Sequence, residues 1–129
     1  MLGTTTMEAM TMAYFDFMVV PVSTARMKDY RKLIKESAAA WKRVGALGYV
    51  EAVAEDVKPG KVTSFPLSVK AKKGETVVCA YLLFKNKAHR NKGWKAFMKD
   101  PFVAKFNPKT IPFDGSRMFF GGFKPLISF

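Results

Sequence analysis

The chain has 129 residues, of which 49% are hydrophobic and 25% are charged, and its formal net charge at pH 7 is +12. This balance excludes an intrinsically disordered chain and predicts one folded domain. No run reaches the ~18 consecutive apolar residues of a membrane span. The first basic residue is Arg26, so the positive region of a signal peptide is missing. We therefore expect a cytoplasmic protein with no membrane partner.

The charge is unevenly distributed along the chain. Residues 1–57 carry seven basic and seven acidic side chains, whereas residues 58–129 carry fifteen basic and three acidic ones. Two interpretations stay open: a lysine-rich, solvated surface that aids solubility, or a face that docks on nucleic acid or another polyanion. No RNP1-like motif, helix-turn-helix spacing or Cys/His finger accompanies the charge.

The first half of the chain contains a predicted tail, a strand, a helix and a second strand. Residues 1–12 show no strand or helix period, and we interpret them as a mobile tail. Residues 14–22 (YFDFMVVPV) have the composition of a strand. Ser23 can cap a helix whose apolar residues follow the 3.6 period and which Gly45 ends. Residues 47–57 form the second predicted strand.

The second half begins with a long connection. Residues 58–75 are predicted to form an extended excursion between two turns, and residues 76–84 (TVVCAYLLF) the third strand. Asn86 can cap a second long helix, and Asp100, followed by a proline, can cap a short one. Residues 117–123 (RMFFGGF) form the last predicted strand.

The resulting order is βαββαβ, which predicts an α+β protein of the ferredoxin-like split type: an antiparallel sheet with two helices on one face. Residues 13–129 would form this single domain. Residues 14–20 and 77–84 are apolar on both faces of their strands, apart from Asp16. Two helices cannot cover both sides of a sheet, so the pattern predicts a homodimer in which two open sheet faces close a barrel.

Several motifs between residues 14 and 123 are specific enough to indicate a family. They are VVPV at 19–22, GKVTSFPLSVKAK at 60–72, ETVV at 75–78, AHR at 88–90 and PFDGSRMFFGGF at 112–123. With these motifs the chain resembles the YbaA-like proteins catalogued as domain of unknown function 1428. The resemblance implies a dimeric α+β barrel related in fold to antibiotic-biosynthesis monooxygenases and muconolactone isomerases. It implies no established reaction.

Asp16 and His89 are the two candidate catalytic residues. Asp16 is the only charge in the first strand, so its carboxylate must be ion-paired, hydrogen-bonded or shifted in pKa. It is either a structural partner of a cation such as Arg117 or an acid or base in a pocket. His89 is the only histidine, and it lies beside Arg90 near a helix start. It is either a surface residue or a neutral imidazole that accepts a proton.

The long connection supplies the remaining candidates. Lys61, Thr63 and Ser64 combine a cation with two hydroxyls, so this segment is either a cradle for a small anion or an arm that laces two subunits together. Arg90 and Arg117 complete the candidate ligand-binding set. The pair Gly121–Gly122 inside a strand predicts a bulge or a close backbone approach, at a subunit interface or beside a ligand.

No cofactor or metal is predicted. Cys79 is the only cysteine, so no internal disulfide or zinc cluster can form, and no His pair has ligand spacing. Motifs for dinucleotides, phosphate loops and serine hydrolases are missing. Three functions remain open: binding of a small molecule, with a cofactor-independent monooxygenase or isomerase as the enzymatic form, non-catalytic binding or assembly on a polyanion, and a purely structural role as a dimer. The sequence does not decide whether the protein is an enzyme.

Overall fold

The computed structural model describes residues 12–129, so the predicted tail lies outside the described residues except for Met12. The strands are β1 (Tyr14–Ser23), β2 (Gly48–Val53), β3 (Glu75–Phe84) and β4 (Phe119–Phe123). They form one sheet in the order β2-β3-β1-β4, and every neighbouring pair is antiparallel. The predicted α+β class with an antiparallel sheet is thus confirmed.

Four helices and one 3-10 turn connect the strands. A 3-10 turn (Thr24–Arg26) leads into α1 (Met27–Arg43), and the others are α2 (Phe65–Ser68), α3 (Lys87–Phe97) and α4 (Pro101–Ala104). Two of the three predicted caps are confirmed. The Asn86 side chain accepts a hydrogen bond from the His89 amide at 2.8 Å, and Asp100 accepts one from the Phe102 amide at 2.9 Å.

Four predicted elements differ in detail. Ser23 makes no side-chain cap bond, because the 3-10 turn separates it from α1. The predicted excursion contains the short helix α2. Here Ser64 accepts from the Leu67 amide at 3.1 Å, and Pro66 in the first turn has the fixed φ that a helix start tolerates. β2 ends at Val53 and β4 begins at Phe119, both shorter than predicted.

The core lies between the sheet and helices α1 and α3. One cluster joins Val20, Val22 and Val78 of the sheet to Tyr30 of α1. A second cluster joins Leu82 and Phe84 of β3 to Trp41 of α1, with Trp94 and Phe97 of α3 packed against them. All the sheet residues of both clusters lie on one face, because positions two apart along a strand point the same way.

The opposite face of the sheet is partly open. Four apolar side chains on this face are between 43% and 56% exposed to solvent. They are Phe17 of β1, Val50 of β2, and Phe119 and Phe123 of β4. Phe17 stacks on Phe15 and meets the edge of Phe123 at a centroid distance of 5.4 Å. At the other end of the same face Pro21 and Val77 are buried. Within residues 12–129 an aromatic patch is therefore left uncovered on the side away from α1 and α3.

Candidate functional site

A cavity of about 400 Å³ lies between the sheet and α1, with α3 and the segment after it as further walls. This volume falls within the roughly 300–1,000 Å³ of small-molecule sites. Most lining side chains are apolar or aromatic, and those that carry polar groups are Asp16, Ser37, Glu51, Tyr30, Tyr49, Trp41 and Trp94. Three lining residues that are exposed to solvent, Met98, Phe106 and Phe120, mark an apolar mouth.

The first polar group in the cavity wall is a carboxyl between two tyrosines. Tyr49 and Glu51 are two apart on β2, so both side chains point toward α1. Tyr30 of α1 donates a hydrogen bond to Oε1 of Glu51, and Tyr49 donates one to Oε2. The Ser37 hydroxyl lies 3.4 Å from the Tyr49 oxygen. Glu51 is thereby fixed in position with both oxygens directed at phenols.

Burial raises the pKa of the Glu51 carboxyl above its usual range, although the hydrogen bonds from Tyr30 and Tyr49 act in the opposite direction. Burial and the neighbouring Glu51 charge also raise the pKa of both tyrosines, which therefore stay protonated. Among the described residues no lysine, arginine or histidine pairs with Glu51. Glu51 is thus a carboxyl held by neutral donors, with a pKa that burial raises.

The second polar group is Asp16 on β1, whose side chain is 3% exposed. Arg90 of α3 donates to both of its oxygens, at 2.9 Å from Nε and 2.8 Å from the terminal nitrogen. The Trp94 indole donates to Oδ2 at 2.8 Å. The Arg90 guanidinium also lies 5.5 Å from the centre of the Tyr14 ring. Asp16 therefore has a full counter-charge, as a structural role requires.

Gly122 of β4 lies opposite Asp16 in the sheet, and a Cβ placed there would collide with the Tyr14 ring. A close approach was predicted for the Gly121–Gly122 pair, and this contact provides it. The missing side chain leaves room for Tyr14 beside Arg90.

His89 does not line the cavity. Its Nδ1 accepts a hydrogen bond from the Lys85 amide at 2.9 Å, and its ring meets Phe84 edge-on at 5.6 Å. Because Nδ1 accepts, the neutral ring carries its proton on Nε2. The imidazole thus fastens the turn that leads from β3 into α3.

The other predicted ligand-binding residues also lie away from the cavity. Lys61 and Thr63 are exposed, and the Ser64 hydroxyl is used within its own loop, where it donates to the Pro59 carbonyl at 2.6 Å. Arg117 was the suggested partner of Asp16. It instead pairs with Glu75 at 2.6 Å and with Asp114 at 2.8 Å, so it joins the start of β3 to the loop before β4.

Asp16 stands out in the sequence as a candidate site residue, whereas Glu51, Tyr30 and Tyr49 do not. One signal was present: Tyr49 and Glu51 alternate with Val50 within β2, which places both polar side chains on one face. The contribution of Tyr30 had no such signal, since it occupies an apolar position of the α1 stripe.

Within residues 12–129 no group of three or more His, Cys, Asp or Glu side chains is placed to hold a metal ion. In the same part of the chain no helix has the length and apolarity to cross a bilayer.

These observations define an α+β protein in which an antiparallel sheet and its helices enclose an apolar cavity with a tyrosine-held carboxyl in the wall. The chain belongs to the family described as "Protein of unknown function (DUF1428)", whose model matches residues 13–115. The resemblance indicated by the sequence motifs is therefore confirmed.

A relative of known sequence agrees with this assignment, and two solved structures have a similar fold. The chain is 39% identical over 116 residues to "Uncharacterized protein YbaA" of Escherichia coli K12, covering 90% of this chain and 98% of that protein. A NIPSNAP family protein from Agrobacterium tumefaciens has a similar fold, with a TM-score of 0.56, 14% identity, and coverage of 88% of this chain and 85% of that one.

A second solved structure, an uncharacterized NIPSNAP-like domain protein from Burkholderia xenovorans, gives a TM-score of 0.56 at 12% identity over 90% of this chain and 87% of that one. At such identities the likeness concerns the fold alone.

Proposed function

We propose that the protein binds a small molecule in the cavity between the sheet and α1. The observation that carries this proposal is Glu51, a carboxyl fixed between Tyr30 and Tyr49 in the wall of an otherwise apolar cavity. Glu51 is only partly exposed, and withdrawing a carboxyl from water has a desolvation cost that a purely structural wall would avoid with an apolar side chain. Its retention at a ligand-sized cavity is typical of a binding or catalytic site.

The chain is further proposed to be a ferredoxin-like homodimer. β1 and β2 both run antiparallel to β3, which separates them, and this is the arrangement of a split βαβ unit. The patch of exposed aromatic side chains around Phe17 and Phe123 supports a second copy as its cover, since each copy would bury the same apolar face.

The catalytic activity proposed for this cavity is that of a cofactor-independent enzyme of the isomerase or monooxygenase type. A carboxyl with a raised pKa can accept a proton from a bound molecule and return it elsewhere, which is the elementary step of an isomerisation. Glu51 would carry the proton, and Tyr30 and Tyr49 would stabilise the carboxylate while it is charged.

Native mass spectrometry of the freshly purified chain tests the binding function. We expect an additional mass that disappears on unfolding and is reduced in Glu51→Gln. The matched control is Asp29→Asn, which changes an exposed carboxylate paired with Arg26 and should keep the additional mass. If the mass of the native protein equals that of the bare chain, and a metabolite extract adds nothing to it, the proposal is wrong.

A second candidate function is docking on a polyanion. The observation that favours it is a set of exposed lysines along and beside α3: Lys85, Lys87, Lys92, Lys95 and Lys99. Binding of a fluorescent single-stranded oligonucleotide should then weaken steeply as salt rises from about 50 to 200 mM. Affinity that is undetectable at the lower salt concentration would eliminate this function.

A further inference from the structure

The cavity has an unexpected charge character for a chain with net charge +12. Among the described residues that line it there is no lysine, arginine or histidine, whereas Asp16 and Glu51 are both present. Arg90 neutralises Asp16 from behind. The only lining carboxyl without a cationic partner in residues 12–129 is Glu51. The positive charge of the surface therefore does not extend into the cavity.

The carboxyl has unused hydrogen-bonding capacity on its acceptor side. Each carboxylate oxygen can accept two hydrogen bonds, and the described residues supply one to Oε1, from Tyr30, and one to Oε2, from Tyr49. A ligand that donates a hydrogen bond can use a remaining acceptor position. A ligand carboxylate or phosphate would instead bring a second negative charge into an apolar space that holds no cation.

The aromatic side chains in the cavity wall determine the shape and polarity of the ligand skeleton that fits. Trp41 stacks on Phe97 at a centroid distance of 3.9 Å, and Trp94 stacks on Phe120 at 5.5 Å. All four rings line the cavity, and Phe120 lies at the exposed mouth. Flat aromatic faces of this kind favour a planar, apolar molecule.

We infer that the cavity takes a flat, apolar molecule with one hydrogen-bond-donating group, a hydroxyl or an amine, which Glu51 accepts, and that it rejects anionic ligands. This inference rests on the proposed function and narrows it to a ligand class. It also separates the cavity from the lysine-rich surface, which attracts the molecules that the cavity excludes.

A matched series of three-ring probes tests the inference on the full chain: phenanthrene, 9-phenanthrol, 9-(aminomethyl)phenanthrene and phenanthrene-9-carboxylate. Trp41 and Trp94 both line the cavity and are the only tryptophans in the chain, so quenching of their fluorescence reports binding there. Measurements at about 150 mM salt weaken attraction of the carboxylate to surface lysines.

We expect 9-phenanthrol or the amine, or both, to bind about tenfold or more tightly than phenanthrene and than the carboxylate. The difference in affinity between the phenol and the amine identifies which hydrogen-bond donor the site prefers. In Glu51→Gln the preference for the donor over phenanthrene should shrink, while phenanthrene affinity should stay within about twofold. If Glu51→Gln does not fold, the affinities of the wild-type protein for the four probes alone decide whether the inferred ligand class is right.

Three results would overturn the inference. If the carboxylate binds as tightly as the donors, or phenanthrene does, the ligand class is wrong although the cavity still binds small molecules. If none of the four probes quenches the tryptophans, both the ligand class and the proposed binding function fail. A metabolite found by native mass spectrometry that is an anion would overturn the ligand class alone.

Discussion

Arg90 on α3 holds the carboxylate of Asp16 on β1 through two parallel hydrogen bonds, of 2.8 and 2.9 Å, across 74 residues of sequence. The pair joins the second long helix to a central strand of the sheet. Because the Asp16 side chain is 3% exposed and that of Arg90 21% exposed, water cannot easily replace either partner. Asp16 therefore stabilises the fold by pairing with Arg90, and it also lines the cavity.

Asp16→Asn should lower the free energy of unfolding by roughly 1–3 kcal/mol, because Arg90 would be left mostly buried without its counter-charge. Urea unfolding measures the change. Asp29→Asn is the control, since its pair with Arg26 is exposed and should contribute within about 0.5 kcal/mol. An unchanged or higher stability of Asp16→Asn, combined with lost probe binding, would instead assign Asp16 to ligand recognition.

Glu51 should make the protein less stable as the pH rises. Its pKa in the folded chain is raised above the ordinary value of 4.5, so the folded state holds its proton at a pH at which the unfolded chain has released it. Stability from this group is complete below about pH 4.5 and is lost as the pH rises through the folded pKa, by at most about 1.4 kcal/mol per pH unit.

The test compares wild type with Glu51→Gln by urea unfolding between pH 3 and 8. The difference between the two cancels the contributions of Glu75, Asp100 and Asp114, whose pKa values are lowered by hydrogen bonds, mainly from arginines and Ser116, and which act in the opposite sense. We expect the variant to gain stability relative to wild type as the pH rises. A difference that is constant with pH would mean that Glu51 titrates normally.

Gly93→Ala should destabilise the chain although it lies inside helix α3. Alanine is ordinarily better than glycine in a helix by about 1 kcal/mol, but a Cβ at this position would lie 2.9 Å from Cε1 of the buried Phe84 ring. We expect a net loss of roughly 1–3 kcal/mol from overpacking. Lys92→Ala, at the preceding exposed position of the same helix, should change stability by less than about 0.5 kcal/mol. A stabilised Gly93→Ala would show that Phe84 can move aside.

The proposed homodimer should be disrupted by a charge in the open face of the sheet. Light scattering at micromolar concentration should give twice the chain mass for wild type, and a face of this kind should bury more than ~800 Å² per subunit. Phe17→Glu should reduce the mass to that of one chain. Leu47→Glu, at another exposed apolar residue that lies outside the aromatic patch, should remain dimeric. A monomeric wild type contradicts the proposal.

Residues 1–12 should be dispensable for stability, because their sequence has no periodic apolar pattern that would face a core. A chain shortened to begin at Met12 should keep its free energy of unfolding within about 1 kcal/mol of the full chain. A larger loss would mean that the segment is part of the folded domain.

The sequence by itself determined the order of the main elements and the family. Local rules sufficed for this: the helical period of α1, the caps at Asn86 and Asp100, and a proline and glycines that end or bend elements. Such signals act between residues a few positions apart, so they can be read without knowing the fold. The sequence also showed that both faces of β1 and β3 are apolar, because polar and apolar residues do not alternate along these strands.

Only the tertiary structure decided which residues meet. Asp16 finds Arg90 rather than Arg117, because the antiparallel register and the path of α3 bring residues 74 positions apart together. Glu51 receives hydrogen bonds from Tyr49 of β2 and Tyr30 of α1. The spacing of Tyr49 and Glu51 places both on one face of β2, but nothing in the sequence indicates the contact with Tyr30. His89 and the Lys61 loop fall outside the cavity for the same reason. Strand pairing and helix packing place distant side chains side by side, and a linear pattern specifies the elements but not these pairings.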